Sequence, residues 1–179
     1  MAAQTASYNF SSSRTLKRKH DVYLSFRGVD TCTNFVDHLR TALDQKDICA
    51  FREEDFNQGQ SISVESLEAI EGSKCVVVIF SRNYGHSTWC LDELTKIVEC
   101  KEKGQMILPV FYDVDPSDVR KQTASFQEAF DVHERRFGDV PDKVPRWRAA
   151  LTEVANVAGW DLRDGKNCGS NLRLYFLNI

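Results

Sequence analysis

The chain has 179 residues, of which 42% are hydrophobic, and a formal net charge of −3, which suits one domain with its own core. Such mild acidity makes no electrostatic case for binding nucleic acid or an anionic membrane. No apolar stretch reaches the roughly 18 residues that cross a bilayer, and the first residues (MAAQTASYNFSSS) lack the apolar segment of a secretory signal. Without a secretory signal, we expect the six cysteines to be reduced thiols in a cytoplasmic protein, and because they form no C-x-x-C pair we expect no metal site.

Residues 1–19, rich in Ser, Thr and Lys, are predicted to be a disordered lead-in. Their basic run is either a weak nuclear signal or, as we favour, a solvated approach to the first strand. Continuous apolar runs then predict buried strands at residues 21–26, 48–52, 75–80 and 106–112. Helical periodicity marks the segments between them, residues 31–46, 60–73 and 88–103. This alternation predicts βαβ units and a parallel sheet with right-handed crossovers.

The pattern changes beyond Asp113. Asp115-Pro116-Ser117 predicts a turn or a helix start, and residues 126–137 and 145–158 predict two helices. Residues 159–163 (GWDLR) predict a short last edge strand. The tail, residues 164–179, combines a polar loop with an apolar stretch that leaves no room for a full final helix. We therefore expect one domain over residues 20–163, without internal repeats.

The segment STWCLDELTKIVEC, residues 87–100, carries the most informative pattern. Trp89 and Glu93 are four apart at a predicted helix start, a spacing that stacks two side chains on one helix face. Leu91, Leu94 and Val98 form an apolar stripe on another face. We therefore expect an indole and a carboxylate standing together away from the core, just after a strand. This pair would suit a flat, positively charged ligand.

Helix capping explains several polar residues around these elements. Asp30 and Thr31 are predicted to cap the first helix, and Ser87 or Thr88 is the natural N-cap of the helix that carries Glu93. Asp92 lies near the same helix start, where acidic side chains are favourable, and receives no further role.

Ligands of open parallel sheets bind beyond the carboxyl ends of the strands. The relevant segments here are Phe26-Arg27-Gly28, residues 53–59 and residues 81–87. A phosphorelay receiver needs an acceptor aspartate after the third strand, but that strand ends in Phe80-Ser81, so the receiver is excluded. A flavodoxin or P-loop phosphate cradle is weakly supported, because the first strand is followed by a single glycine beside a bulky aromatic.

Three motifs in order, DVYLSFRGVDT (residues 21–31), WCLDEL (89–94) and LPVFYDVDPSD (108–118), resemble a plant Toll/interleukin-1 receptor (TIR) domain. The similarity runs from about Lys19 to Arg163. The resemblance implies a flavodoxin-like α/β fold of three layers, with a central parallel sheet of about five strands between helices. It also implies either a TIR-only protein or the N-terminal module of a nucleotide-binding, leucine-rich-repeat disease-resistance protein.

The resemblance further implies an NAD⁺ glycohydrolase of plant innate immunity, with NAD⁺ as substrate and no cofactor. The family's catalytic glutamate falls on Glu93, and the tryptophan that lines its nucleotide pocket falls on Trp89. The Phe26-Arg27-Gly28 turn would touch the nucleotide, with Arg27 near the phosphates. Gly59 and Ile62 match the family's loop after the second strand. Residues 53–58 of that loop lack the family's basic residues, and this acidic run would repel a dinucleotide.

The family's self-association surfaces fall on Asp37 and His38 of the first helix and on Gly159. The expected partners are other TIR domains and full-length immune receptors. An alternative function, from another class, is a non-catalytic TIR adaptor that acts only through TIR–TIR association. The acidic loop and the short tail favour the adaptor, whereas the intact Trp89 and Glu93 pair favours the enzyme.

Overall fold

The computed structural model describes residues 20–52 and 62–163, so Gly59, the acidic loop and the predictions for residues 1–19 and 164–179 lie outside the described residues. Five parallel strands form one sheet in the order β2-β1-β3-β4-β5. The strands are β1 Val22–Phe26, β2 Ala50–Phe51, β3 Cys75–Phe80, β4 Met106–Phe111 and β5 Trp160–Asp161. The helices are α1 Cys32–Asp44, α2 Val64–Gly72, α3 Thr88–Lys101, α4 Pro116–Lys121, α5 Ser125–Phe137 and α6 Lys143–Ala155, and a 3₁₀ turn spans Tyr84–His86.

The predicted fold class is confirmed, and the element boundaries differ by a few residues. The predicted edge strand pairs with the end of β4, where Phe111 is opposite Asp161. The segment at Asp115 starts a helix, because its side chain accepts a hydrogen bond from the Ser117 backbone N–H at 2.7 Å. Helix α6 ends at Ala155 rather than at residue 158. Within the described ranges, no helix is both long and apolar enough to cross a membrane.

Strand β3 shows how the sheet is covered on both faces, since all its residues are buried. Alternate side chains point to opposite faces of a strand. Cys75, Val77 and Ile79 pack in a cluster with α1, which we call the α1 face. The intervening residues of β3 pack with α3 and α6, on what we call the α3 face. Both faces of the sheet are therefore covered by helices and belong to the hydrophobic core.

The strand order reverses between β1 and β3, which places the crevice for a ligand beyond Phe26 and Phe80. Helix α3 and the 3₁₀ turn begin at this point and pack on the α3 face. Tyr23 and Ser25 of β1 point to the same face and are fully buried. Two hydroxyl groups therefore enter the core beside the candidate site.

Candidate functional site

Helix α3 begins where the sequence places it. Ser87 is the N-cap, and its side chain accepts a hydrogen bond from the backbone N–H of Cys90 at 3.2 Å. The 3₁₀ turn immediately before α3 begins with Tyr84, whose side chain is fully buried in the core. These contacts set the direction in which α3 leaves the sheet.

Glu93 lies in the core, so the expectation that its carboxylate stands away from the core is wrong. The residue is 4% exposed and points toward β1. Cys90, Glu93, Leu94 and Ile97 follow the i, i+3, i+4, i+7 spacing of a core-facing stripe, and all four are buried. Val98, assigned to the buried stripe by the sequence pattern, is only half-buried. A carboxylate thus occupies a position that the helix would otherwise fill with an apolar residue.

Three described side chains donate hydrogen bonds to the Glu93 carboxylate. Tyr23 Oη (2.5 Å) and Trp89 Nε1 (2.8 Å) donate to Oε1, and Ser25 Oγ (2.8 Å) donates to Oε2. An indole N–H can only donate, so the oxygen that it meets must accept. Hydrogen bonds to an ionised acceptor are the stronger kind, and three of them hold both carboxylate oxygens in place. The geometry therefore describes a buried, oriented carboxylate.

A second layer of hydroxyl groups supports these donors. Tyr84 Oη lies 2.9 Å from Ser25 Oγ and donates to the backbone carbonyl of Cys90 at 3.2 Å. A 3.3 Å hydrogen bond joins Tyr23 Oη to Ser66 Oγ on α2. The sequence analysis did not identify Tyr23, Ser25, Ser66 or Tyr84 as residues of the site. For Tyr23 and Ser25 a signal was available, namely their two-residue spacing in the otherwise apolar strand VYLSF.

Trp89 contacts Glu93, as the i, i+4 spacing predicts, and is half-buried. The residues of the Phe26-Arg27-Gly28 segment are half-buried as well. Among the described residues, the buried Nε of Arg27 has no hydrogen-bond partner. Cys90 Sγ contacts the Phe26 carbonyl at 3.5 Å and joins this segment to α3. A cation, an indole and a buried carboxylate therefore lie on adjoining elements at the reversal point of the sheet.

Asp30 does not cap α1, contrary to the prediction. Its carboxylate accepts hydrogen bonds from Ser81 Oγ (2.8 Å) and from the backbone N and Nδ2 of Asn83 (2.6 and 2.7 Å). Thr31 is at the N-cap position but makes no side-chain cap bond, and its hydroxyl donates to the Arg27 carbonyl instead. Asp30 therefore ties the loop after β1 to the loop after β3, across the reversal point of the sheet.

Ile62 and Asp92 belong to a neighbouring groove of about 540 Å³ between α2, α3 and α6. Ile62 is half-buried against the core of the α3 face. Asp92 accepts a hydrogen bond from Trp147 Nε1 at 2.8 Å, and Lys143 Nζ lies 3.9 Å away. Asp92 therefore fastens α6 to α3, a role that its position at the helix start did not predict.

The expected self-association residues are placed as follows. Asp37 forms a 2.7 Å salt bridge with Arg52, and the neighbouring His38 is exposed. Gly159 precedes β5, where an added Cβ would lie 2.2 Å from the carbonyl oxygen of Pro109. This close approach requires glycine irrespective of any partner.

Three of the four cysteines whose side chains are described are buried like small hydrophobic residues. Cys75, Cys90 and Cys100 are buried, whereas Cys49 is exposed. Burial raises the pKa of Cys75 to about 12, so this thiol stays protonated at neutral pH.

Comparisons with known proteins agree with the motifs. A family model described as "TIR domain" matches residues 19–172. The chain is 50% identical to disease resistance protein RPV1 of Vitis rotundifolia, over 92% of this chain and 12% of that protein. It is 46% identical to TMV resistance protein N of Nicotiana glutinosa, over 83% of this chain and 13% of that protein. The chain therefore spans a small part of the length of these curated relatives.

A solved structure gives the same result in three dimensions. The TIR domains of the activated Roq1 resistosome, described as directly recognising the pathogen effector XopQ, match with a TM-score of 0.82 and 47% sequence identity. The match covers 89% of this chain and 99% of that chain. On sequence and on structure, this chain belongs to the TIR-domain family.

Proposed function

We propose that this chain is the TIR module of a plant immune protein and that, when self-associated, it cleaves the bond between nicotinamide and ribose in NAD⁺. The observation that carries the proposal is the Glu93 carboxylate, which Tyr23, Ser25 and Trp89 hold at the reversal point of the sheet. A buried carboxylate costs stability unless hydrogen bonds compensate its lost hydration, and ionisable groups held in this way are concentrated at functional sites.

The reaction suits a single carboxylate. Most glycoside hydrolases need two, because a sugar leaving group must be protonated. Nicotinamide leaves NAD⁺ as a neutral molecule and takes the bonding electron pair, so it needs no proton. The Glu93 carboxylate would accept hydrogen bonds from the ribose hydroxyls and stabilise the positive charge that develops on the ribose. Water then attacks the ribose carbon that carried nicotinamide and loses a proton, and the products are ADP-ribose, nicotinamide and H⁺. If an adenine nitrogen attacks instead, the product is a cyclic ADP-ribose isomer.

Two further residues support NAD⁺ as the ligand. The Trp89 indole N–H is engaged by Glu93, which orients the ring, and stacking of a flat base on such a ring contributes about 1–3 kcal/mol. Arg27 brings a guanidinium with a buried Nε that has no partner within the described part of the chain. The guanidinium fork matches the geometry of phosphate oxygens.

Self-association of this chain is proposed from its likeness to TIR domains of an activated resistosome. His38 is exposed on α1, so it is available to another TIR domain or to a full-length receptor. Asp37 already pairs with Arg52 of the same chain. Changing Asp37 therefore disturbs an internal contact, and His38 is the cleaner probe of assembly.

The test is nicotinamide release from NAD⁺ by the purified protein at high concentration, with and without a crowding agent. Glu93→Gln is the matched variant. Its amide oxygen keeps the bonds from Tyr23 and Trp89, and its amide N–H₂ donates to the hydroxyl of Ser25, which accepts after rotation. We expect Glu93→Gln to fold and to release nicotinamide at least about a hundredfold more slowly. No release by the wild type, or equal release by the variant, contradicts the proposal.

The exposed His38 supports a second candidate, the non-catalytic adaptor. The same variants separate the two functions in a plant cell-death assay. If Glu93→Gln retains signalling while His38→Ala abolishes it, the adaptor function is correct. If both substitutions abolish signalling, the enzyme that requires assembly is supported.

A further inference from the structure

One buried titratable residue lies outside the site and has no part in the chemistry above. His133, on α5, is 4% exposed and packs against the rings of Phe130, Phe137 and Trp147. Its Nε2 lies 2.8 Å from the backbone carbonyl oxygen of Gly85. A carbonyl only accepts, so Nε2 carries the proton and donates. Nδ1 is buried and has no hydrogen-bond partner among the described residues. The ring therefore makes one directed contact, to Gly85.

Gly85 is the middle residue of the 3₁₀ turn, and α5 presses directly against it. An added Cβ would lie 2.8 Å from Cδ1 of Phe126 and 3.6 Å from Cβ of Ala129. Only glycine lets the turn come this close, and the approach brings its carbonyl to His133. Helix α5 thus holds the turn by close packing and by one hydrogen bond.

Tyr84 before Gly85 and Ser87 just after the turn connect it to Glu93. Tyr84 precedes Gly85, and its hydroxyl contacts Ser25, the donor to Oε2 of Glu93. Ser87 caps the helix that carries Glu93. A shift of the Gly85 peptide would therefore move both a support of the carboxylate and the start of its helix.

We propose that His133 is a positioning residue of this site. Its Nε2–H···O bond to Gly85 holds the turn where Tyr84 supports Ser25 and Ser87 starts α3, so that Glu93 keeps its orientation. His133 contacts none of the groups that would react, and it acts through the turn. The inference rests on the proposed function and assigns the site a support on α5, an element outside the crevice.

The charges around the ring are consistent with a neutral imidazole. His86 lies on the turn, Arg136 on α5 and Asp92 on α3, while Lys143 of α6 sits over the neighbouring Trp147 ring. The net direction for His133 is a lowered pKa: burial is the largest cause and lowers it, the hydrogen bond to Gly85 raises it, His86 and Arg136 lower it, and Asp92 raises it. Nε2 carries a proton both in the neutral imidazole and in the protonated imidazolium. The hydrogen bond from Nε2 to the Gly85 carbonyl therefore has its donor in either charge state.

The test compares His133→Gln with His133→Met. The Gln side chain places an N–H three bonds from Cβ, as Nε2 is in histidine, whereas Met has the same linear shape without a donor. In steady-state NAD⁺ cleavage below the melting temperature, we expect His133→Met to lower kcat about tenfold with little change in KM. His133→Gln should keep most of the wild-type kcat, because its side-chain N–H can still donate to the Gly85 carbonyl. Equal kcat for the two variants would overturn the proposal, as would a loss confined to KM.

Amide hydrogen exchange gives a readout that does not depend on activity. We expect His133→Met to accelerate exchange about tenfold in residues 84–91 relative to His133→Gln, with the amides of β3 and β4 unchanged. Uniform acceleration across the sheet would mean a global loss of stability and would contradict positioning. If the wild type releases no nicotinamide, the proposed function fails, while the exchange comparison still decides whether His133 holds the turn.

Discussion

The two faces of the central sheet differ in what they bury. On the α1 face, β1 and β3 contribute only apolar side chains, among them Leu24, Val77 and Ile79. On the α3 face, the same β1 contributes Tyr23 and Ser25, which enclose the carboxylate of Glu93. The backbone, the strand order and the depth of burial are shared. The difference shows that the buried carboxylate of Glu93 lies on the face where β1 and α3 both supply hydrogen-bond donors.

This comparison separates residues that hold the fold from residues that hold the site. A change on the α1 face should alter stability and leave the properties of Glu93 intact. A change on the α3 face near the crevice should alter both.

Ser25→Ala should give the largest of three further effects. It removes the described donor to Oε2 of Glu93, and a lost hydrogen bond to a charged group costs about 1.5–3 kcal/mol of unfolding free energy. Loss of orientation should lower kcat for NAD⁺ cleavage about tenfold to a hundredfold. Urea denaturation and nicotinamide release measure the two effects. Unchanged stability together with unchanged kcat would show that the polar network is incidental.

Ile79→Val is the matched change on the opposite face, at a fully buried position of β3. Removing one methylene from a core costs about 0.5–1.5 kcal/mol. The free energy of unfolding from urea denaturation should fall by that amount, and kcat per folded molecule should equal that of the wild type. A kcat loss as large as that of Ser25→Ala would remove the distinction between the faces.

The smallest effect is expected from mild acidification. Burial lowers the pKa of His133, while the unfolded chain keeps a value of about 6.5. Between these two values the unfolded state binds more protons, so the stability present above about pH 6.5 is lost as the pH falls toward the folded value. The melting temperature of the wild type should therefore drop more between pH 7.5 and 5.5 than that of His133→Gln. Equal drops would assign the acid response to other groups.

The carboxylates of Asp21, Glu71 and Asp161 respond in a different pH range. Hydrogen bonds from Lys74, Lys96 and Arg163, respectively, lower their pKa values. Their contribution is present above the ordinary carboxyl range near pH 4 and is lost at lower pH. These carboxylates therefore stay ionised between pH 7.5 and 5.5 and do not contribute to the difference between the wild type and His133→Gln.

Local hydrophobic patterns predicted most of the fold, because the spacing of apolar residues within one strand or helix indicates which of its side chains are buried. The apolar run CVVVIF predicted β3 with its observed bounds, and the short edge strand was recognised in GWDLR. The site was predicted in part. The contact between Trp89 and Glu93 follows from helix geometry alone, since residues four apart share a face.

The environment of Glu93 could not be inferred from α3 alone. Whether a helix face is buried depends on which strand lies against it, and the donors Tyr23 and Ser25 are 70 and 68 residues away in the chain. The reassignment of Asp30 has the same cause. A carboxylate at a helix start is predicted to cap that helix, but Ser81 and Asn83 come within hydrogen-bond distance only when β1 and β3 pair.

By itself, the sequence determined the strand–helix alternation, the family and the residue types at the crevice, because periodicity and motif spacing are local properties. Only the tertiary structure decided that the Glu93 carboxylate is buried and held by three described donors. It also brought Nε2 of His133 within 2.8 Å of the Gly85 carbonyl oxygen in the turn beside Glu93. Contacts between distant segments are set by how the sheet pairs and how its helices pack, and no single segment encodes them.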